Sequence, residues 1–215
     1  MPKVTGLSPA KRRSGWTKVQ LDGASLCLLP DEQVWRLGLK AGVELEEADL
    51  EAVRVAAESA EALRIGLRYL SVRPRSRREI ELRLRRDSIS SAAIESTVAR
   101  LVELNYLNDA DFAAAFSRDR IRLRPCGTRQ MRSELLSRGV SRSDAEAGIR
   151  TAMNDENVTE DELLERVASA RAARLAGADR EVARRRLFGY LARRGFSLAS
   201  VRPWIEAQWP DDAER

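Results

Sequence analysis

Arginine is the residue type whose number and spacing in this sequence point most directly to chemistry. Four of the 38 basic residues are lysine, so 34 are arginine, and 33 acidic residues leave a formal net charge of +5. An arginine guanidinium can bind a phosphate or a carboxylate through two parallel hydrogen bonds, which a lysine ammonium cannot do. The composition therefore suits the binding of anionic groups.

Histidine is absent, and this excludes histidine-based acid–base catalysis, Ser-His and Cys-His nucleophile pairs and imidazole metal sites. Cys27 and Cys126 are too far apart in the sequence for a CxxC clamp, and two cysteines cannot form a four-thiolate zinc site. We interpret them as reduced thiols, with a long-range disulfide as the alternative. No phosphate-binding loop or dinucleotide fingerprint occurs. We predict that the protein is not an enzyme and takes no cofactor or metal.

The arginines concentrate in three windows, 73–86, 118–138 and 180–194, each with a local net charge of +5. Acidic residues gather elsewhere, at 44–51 and 155–165. Such segregation of charge is typical of a surface that binds a polyanion or an acidic partner. The alternative is an ordinary solvated helix surface.

The windows recur because the chain repeats itself from about residue 59. The Arg-Pro pair at 73–74 recurs 51 positions later at 124–125, and the same offset matches Leu84 with Leu135. A further offset of 56 reaches Leu191. Three serines coincide under the same two offsets: Ser90, Ser141 and Ser197.

Each repeat is predicted to contain three helices. The second helices lie at roughly 77–87, 128–138 and 180–193, with inward-facing apolar residues four positions apart. Gly139 and Gly195 follow the second and third of these helices, where a left-handed residue ends a helix, and Ser88 occupies that place in the first repeat. Two sequences match a capping box, Ser76 with Glu79 and Thr159 with Glu162.

A repeat of this size is too small for a strong core of its own, so neighbouring repeats are expected to stack. The predicted fold class is mainly α: a tandem array of three three-helix repeats, elongated and curved, with a small N-terminal β-hairpin and helix segment. A compact nine-helix globule is the alternative. The hairpin is predicted from alternating apolar residues on both sides of Asp22-Gly23. The predicted domains are 1–58 for the N-terminal segment and 59–108, 109–156 and 157–215 for the repeats.

If the repeats stack in register, the three windows form one basic stripe, which we predict to be the partner- and DNA-binding surface. Its residues are Arg73, Arg75, Arg77, Arg78, Arg122, Arg124, Arg129, Arg132, Arg185, Arg186, Arg193 and Arg194. We interpret the four tryptophans, Trp16, Trp35, Trp204 and Trp209, as core or staple residues rather than base-stacking platforms.

No secretory signal follows Met1, and no apolar run approaches the roughly 20 residues that span a bilayer. We therefore expect a protein of the cytoplasm with no membrane partner.

Four segments carry a resemblance to a known family. They are LSVRPRS at 70–76, LNYLND at 104–109, RRGFS at 193–197 and VQLDG at 19–23. In these the sequence resembles the RecX regulatory proteins, bacterial modulators of the RecA recombinase, over nearly its whole length. It departs from the family at Ser88, where glycine is usual, and at Cys126 in the second Arg-Pro loop.

The resemblance implies a non-enzymatic regulator that binds the RecA filament on single-stranded DNA. It implies inhibition of strand exchange and ATP hydrolysis, and so modulation of recombination, DNA repair and the SOS response. We expect a monomer that contacts the RecA filament and the single-stranded DNA in or beside it. Two alternatives remain: a RecA-independent nucleic-acid-binding regulator built of helix-turn-helix-like repeats, and a purely protein-binding scaffold.

Overall fold

The computed structural model describes residues 1–209, so the predicted end of the third repeat, 210–215, lies outside the described residues. Three strands come first: β1 (Val4–Pro9), β2 (Trp16–Leu21) and β3 (Ala24–Pro30). Ten helices follow: α1 (Asp31–Arg36), α2 (Glu47–Leu70), α3 (Arg77–Arg86), α4 (Ser91–Glu103), α5 (Asp109–Leu123), α6 (Thr128–Ser137), α7 (Arg142–Asp155), α8 (Glu160–Ala173), α9 (Arg180–Arg193) and α10 (Leu198–Gln208). The predicted mainly α class, with three successive helix triplets after an N-terminal β element, is confirmed. Within residues 1–209, no helix has both the length and the apolar character needed to cross a bilayer.

The chain forms two compact units. The first unit comprises residues 1–73 and 80–107, and the second comprises residues 74–79 and the chain from 108 onward. The short segment 74–79, which begins with the Pro of the first Arg-Pro pair, therefore packs with the second unit although its sequence neighbours on both sides belong to the first.

The N-terminal β element is larger than the predicted hairpin. β2 and β3 pair antiparallel around Asp22 and Gly23, whose φ angles of 49° and 84° are those of the expected two-residue hairpin turn. β1 pairs with the other edge of β2, so the element is a three-stranded antiparallel sheet in the order β1-β2-β3. The prediction missed β1 because Gly6 and Pro9 interrupt its apolar alternation.

Helix α2 connects the sheet to the first helix triplet. Its first half places Val53 against the sheet core of Val4, Val19 and Leu29. Its second half places Ala62 in a separate cluster with buried residues of α3 and α4. The predicted boundary between residues 58 and 59 thus lies inside one continuous helix. The acidic residues Glu47 and Asp49 fall in its first turn, where the helix dipole favours negative charge.

Trp35 is not a core residue, and this corrects the prediction for the tryptophans. Its side chain is 84% exposed. It lies on α1, a helix of six residues that buries none of its side chains completely. Val34 and Leu37, its neighbours on that turn, pack against the sheet core and leave the indole on the solvent side.

The second unit has one continuous core that runs through the second and third helix triplets. Buried residues from α5 to α10 belong to it, including Phe112, Met131, Leu135, Leu187 and Leu191. The inward-facing pairs predicted on the second helices are therefore buried as expected. Repeats 2 and 3 stabilise each other because they share this apolar core.

The ends of the helices follow the predicted local signals. Gly139 and Gly195 have φ angles of 80° and 77°, and Ser88 adopts the same left-handed region at 60°. Both capping boxes form. The Ser76 N–H donates to the Glu79 carboxylate, and the Ser76 hydroxyl accepts from the Glu79 N–H, each at 3.2 Å. Thr159 and Glu162 exchange the equivalent pair.

Candidate functional site

The structure divides the twelve arginines of the predicted basic stripe into exposed and half-buried groups. Arg75, Arg132 and Arg194 are half-buried. The other nine are exposed: Arg73, Arg77, Arg78, Arg122, Arg124, Arg129, Arg185, Arg186 and Arg193. Exposure is the first requirement for a residue that contacts a large partner.

The three half-buried arginines stabilise the fold. Arg75 lies 3.9 Å from the Glu79 carboxylate, and Arg132 lies 3.3 Å from the carboxylate of Glu146 on α7. The guanidinium of Arg194 donates to the carbonyl of Pro125 at 2.7 Å and so holds the second Arg-Pro loop against α9. Each of these guanidinium groups already has a partner within the chain, so the three side chains are less available to another molecule.

Two of the exposed arginines also have internal carboxylates. Arg77 lies 4.0 Å from Asp109, and Arg122 lies 2.7 Å from Glu156. The hydrogen bond from Arg122 and then its positive charge lower the pKa of Glu156. The same hydrogen bond and then the negative charge of Glu156 raise the pKa of Arg122. In both pairs the arginine is exposed and the carboxylate largely covered, so these two cations are partly neutralised within the chain.

Six exposed arginines of the predicted stripe make no ion pair with any carboxylate among residues 1–209. All six belong to the second unit. They are Arg78, Arg124, Arg129, Arg185, Arg186 and Arg193. We call this set the unpaired arginines. It is the part of the predicted stripe whose charge is not neutralised within the chain.

Two structurally equivalent contacts position these side chains. Each joins the start of one second helix to the end of the next, and we call these contacts joints. At the first joint, the Ser76 hydroxyl donates to the Arg138 carbonyl at 2.7 Å. The Arg77 N–H donates to Asp109 at 2.9 Å. Gly139 follows Arg138 in the sequence, and a Cβ added to Gly139 would lie 2.4 Å from Cδ of Arg78. The start of α3 is thereby held against the end of α6, with the stem of Arg78 resting on the glycine.

The second joint repeats this arrangement one repeat later. The Gly127 N–H donates to the Arg194 carbonyl at 2.9 Å, and the Thr128 N–H donates to Glu160 at 3.3 Å. A Cβ on Gly195 would lie 2.3 Å from the backbone nitrogen of Gln130. The start of α6 is therefore held against the end of α9. In the second unit, the starts of α3 and α6 thus each lie beside the end of the second helix of the next repeat.

Sequence reasoning missed the carboxylates of these joints and one group of arginines. Asp109 and Glu160 are separated by the same offset of 51 that relates Arg73 to Arg124, so the repeat itself contained the signal. Arg166, Arg171 and Arg174 lie on or just after α8, outside all three windows. The structure places them beside Arg194 around a shared cavity of about 240 Å³.

Neither cysteine is an activated thiol. Both are free in the structure. Burial raises the pKa of Cys27 and raises that of Cys126 to about 11. Both therefore remain protonated near neutral pH, whereas a nucleophilic or redox-active cysteine needs a lowered pKa.

Comparison with known proteins finds three consecutive family matches. Residues 62–101 match the RecX first three-helix domain, residues 108–149 the second and residues 159–205 the third. A regulatory protein RecX of Prosthecochloris aestuarii is 32% identical over 149 residues, which cover 69% of this chain and 94% of that protein. A regulatory protein RecX of Lactobacillus johnsonii is 33% identical over 141 residues, or 66% of this chain and 52% of that protein. The match thus spans about half the length of the Lactobacillus relative.

Solved structures share the fold. A crystal structure of regulatory protein RecX superposes with a TM-score of 0.77 and 23% identity, covering 96% of this chain and all of that one. RecX from Lactobacillus salivarius superposes with a TM-score of 0.61 and 21% identity over 70% of this chain and 96% of its own. At these identities the comparison shows a common architecture.

Proposed function

We propose, since the chain belongs to the RecX family of regulatory proteins, that it binds the filament of a RecA recombinase on single-stranded DNA and inhibits the filament's strand exchange and ATP hydrolysis. In this role it would modulate recombination and DNA repair in the cytoplasm. The protein would act as a monomer, without catalysis and without a cofactor. The observation that carries the proposal is the set of six unpaired arginines.

Unpaired exposed guanidinium groups suit a polyanionic filament because each can form a bidentate contact with a phosphate or a carboxylate. Some exposed arginines of the second unit are neutralised internally, as Arg142 is by Glu146 at 3.1 Å. Sequence and structure together thus leave the positive charge of the stripe uncompensated at six positions. These positions come from the segment 74–79 and from both later repeats.

The joints support a binding mode in which several weak contacts act together. They hold the start of α3 against the end of α6, and the start of α6 against the end of α9. Arginines on successive second helices are therefore presented by one rigid framework within the second unit. When contacts are linked in this way, the second contact forms at high effective concentration. The protein therefore binds a filament more tightly than it binds a single filament subunit.

The test is RecA ATPase activity on single-stranded DNA with and without the protein. We expect the unmodified protein to inhibit, and the triple variant Arg78→Glu, Arg129→Glu and Arg185→Glu to lose most of the inhibition. The control carries the same charge change at exposed arginines outside the stripe, Arg12→Glu, Arg36→Glu and Arg150→Glu, and should inhibit normally.

Two outcomes would contradict the proposal. Full inhibition by the folded stripe variant would show that these arginines are not the contact. An unchanged ATPase rate with the unmodified protein, together with salt-sensitive binding to bare DNA, would favour the RecA-independent nucleic-acid regulator instead.

A further inference from the structure

A cavity in the third helix triplet is surrounded by four arginines. It measures about 240 Å³ and is lined by Arg166, Arg171 and Arg174 of the α8 region and by Arg194 at the end of α9. The remaining wall comes from Pro125, Val167, Ala170 and Tyr190. Among the residues that the structure describes, no carboxylate lines it. Within residues 1–209, none of the four guanidinium groups lies within ion-pair distance of a carboxylate.

The arginines are held in place by neutral partners. Arg166 donates to the Ile121 carbonyl at 2.8 Å, and Arg194 donates to the Pro125 carbonyl at 2.7 Å. The guanidinium of Arg171 lies 5.0 Å from the centre of the Tyr190 ring, and that of Arg194 lies 5.9 Å from it. These contacts orient the side chains but do not neutralise their positive charges.

Two donors at this cavity have no acceptor. The Nε atoms of Arg171 and Arg194 are buried and make no hydrogen bond. A buried guanidinium N–H without an acceptor loses the hydrogen bonds that water would supply, and this cost exceeds that of a neutral donor. Four neighbouring cations add mutual repulsion. An anion in the cavity would relieve this repulsion.

The preceding repeat shows how the same position is neutralised internally. α5 and α8 match from their N-caps, Asn108 and Thr159, and α6 and α9 match from their C-caps, Arg138 and Arg194. On this alignment three residues around the second-repeat position correspond to three around the cavity: Arg120 to Arg171, Arg138 to Arg194 and Glu134 to Tyr190.

In the second repeat, Glu134 forms an ion pair with Arg120. Burial tends to raise its pKa, but hydrogen bonds from Gln130 and Arg120 and the charges of Arg120 and Arg138 lower it overall. The third repeat keeps both arginines and replaces this carboxylate with an uncharged tyrosine. Within residues 1–209, the positive charges of Arg171 and Arg194 therefore have no carboxylate partner like Glu134.

We propose that this cavity, which we call the arginine pocket, is a binding site for a phosphate group supplied from outside the chain. A phosphate oxyanion accepts several guanidinium hydrogen bonds at once, and four guanidinium-bearing side chains line this cavity. The phosphate comes either from a free nucleotide or from the backbone of a nucleic acid, since both carry the same oxyanion chemistry.

The first experiment titrates inorganic phosphate into the full chain by calorimetry at constant ionic strength. We expect saturable binding of one phosphate per chain. Arg174→Gln and Arg171→Gln should each weaken it by about tenfold, as expected for loss of a charge-assisted contact. Tyr190→Glu, which restores the carboxylate of the second repeat, should abolish it. Tyr190→Phe keeps the ring and should bind normally.

Arg150→Gln, on the exposed face of α7, is the control for loss of one positive charge. Arg174 is itself exposed, so its variant tests the pocket even if changes at Tyr190 disturb folding. The absence of saturable binding would overturn the inference. So would equal affinities in the Arg150 and Arg174 variants.

Competition then identifies the source of the phosphate. Displacement by a mononucleotide at lower concentration than by oligothymidylate indicates a free nucleotide, and the reverse order indicates a nucleic acid backbone. The titration contains neither RecA nor a filament. Its failure therefore leaves the proposed function intact, and failure of the ATPase test leaves the arginine pocket intact.

Discussion

Ser88 has a backbone conformation that favours glycine. Its φ angle is 60°, and the equivalent residues of the later repeats, Gly139 and Gly195, adopt 80° and 77° without a side chain. In this left-handed region a Cβ lies too close to the following carbonyl oxygen, and this steric clash destabilises the folded state. The first repeat therefore ends its second helix less favourably than the other two.

We expect Ser88→Gly to raise the free energy of unfolding by about 0.5–1 kcal/mol, because the relieved strain exceeds the entropy that glycine adds to the unfolded chain. Chemical denaturation measures the change. Asn157→Gly is the matched comparison. Asn157 has a φ angle of 47°, and asparagine tolerates this region better than serine. A larger gain at Asn157 than at Ser88 would argue against this explanation.

Gly195 cannot be replaced without moving backbone. Besides its positive φ, an added Cβ would lie 2.3 Å from the Gln130 nitrogen. We expect Gly195→Ala to lower the free energy of unfolding by about 2 kcal/mol or more, through strain and overpacking together. Gly177→Ala is the control, since a Cβ there meets nothing within 4 Å. Equal effects at the two glycines in denaturation experiments would contradict the prediction.

Glu61 links stability to pH in the first unit. Hydrogen bonding from Arg64, the largest effect, and from Arg13 lowers its pKa against the opposing effect of burial. A carboxylate whose pKa is lower in the folded state contributes stability above the unfolded pKa of about 4.3, and that contribution is lost as pH falls through the folded value.

We therefore expect Glu61→Gln to flatten the fall in unfolding free energy between about pH 5 and pH 3. Glu95→Gln, a change on the exposed surface of α4, serves as the control and should leave the slope unchanged. Denaturant unfolding across this pH range provides the measurement. A slope that remains steep in the Glu61 variant would show that other carboxylates dominate acid unfolding.

At the scale of the elements, the joints make the starts of α3 and α6 depend on the next repeat. Ser76 is fully buried, and its hydroxyl both caps α3 and donates to the Arg138 carbonyl. This double contact explains why the segment 74–79 packs in the second unit. An isolated first repeat would lack the acceptor for that hydroxyl.

Ser76→Ala is expected to lower the free energy of unfolding by about 1–2 kcal/mol, since it removes a cap and a buried hydrogen bond. Ser137→Ala is the control, because that exposed serine bonds only within its own helix. Thermal and denaturant unfolding would measure both. A loss at Ser137 as large as the loss at Ser76 would show that the joint has no special role.

At the scale of the whole molecule, the proposed function predicts that the unpaired arginines set the salt dependence of DNA binding. If the proposed function holds, Arg124→Gln, Arg129→Gln and Arg193→Gln together remove three phosphate contacts. The slope of log affinity against log salt on single-stranded DNA should then become shallower by about 2, at about 0.7 per contact. Fluorescence anisotropy at several salt concentrations measures this slope. An unchanged slope would place the DNA contact elsewhere.

Much of this fold could be predicted because its signals are local. The spacing of Met131 and Leu135 identified a buried helix face, and Gly139 and Gly195 marked helix ends, since each effect acts within one or two helical turns. The hairpin at Asp22-Gly23 was identified in the same way. β1 was missed because its pairing with β2 depends on a neighbouring strand rather than on its own weak pattern.

The sequence by itself determined the helical repeat and the concentration of arginine on particular helices, since composition and periodicity act at short range. Four of its segments also carried the resemblance to the family. Only the tertiary structure decided which of the described arginines make no ion pair with a carboxylate. Ion pairs and hydrogen bonds such as Arg122–Glu156 and Arg194–Pro125 join residues 34 and 69 positions apart. Packing of whole helices brings such groups together. The same packing gathered four arginines around one cavity, where no run of sequence places them side by side.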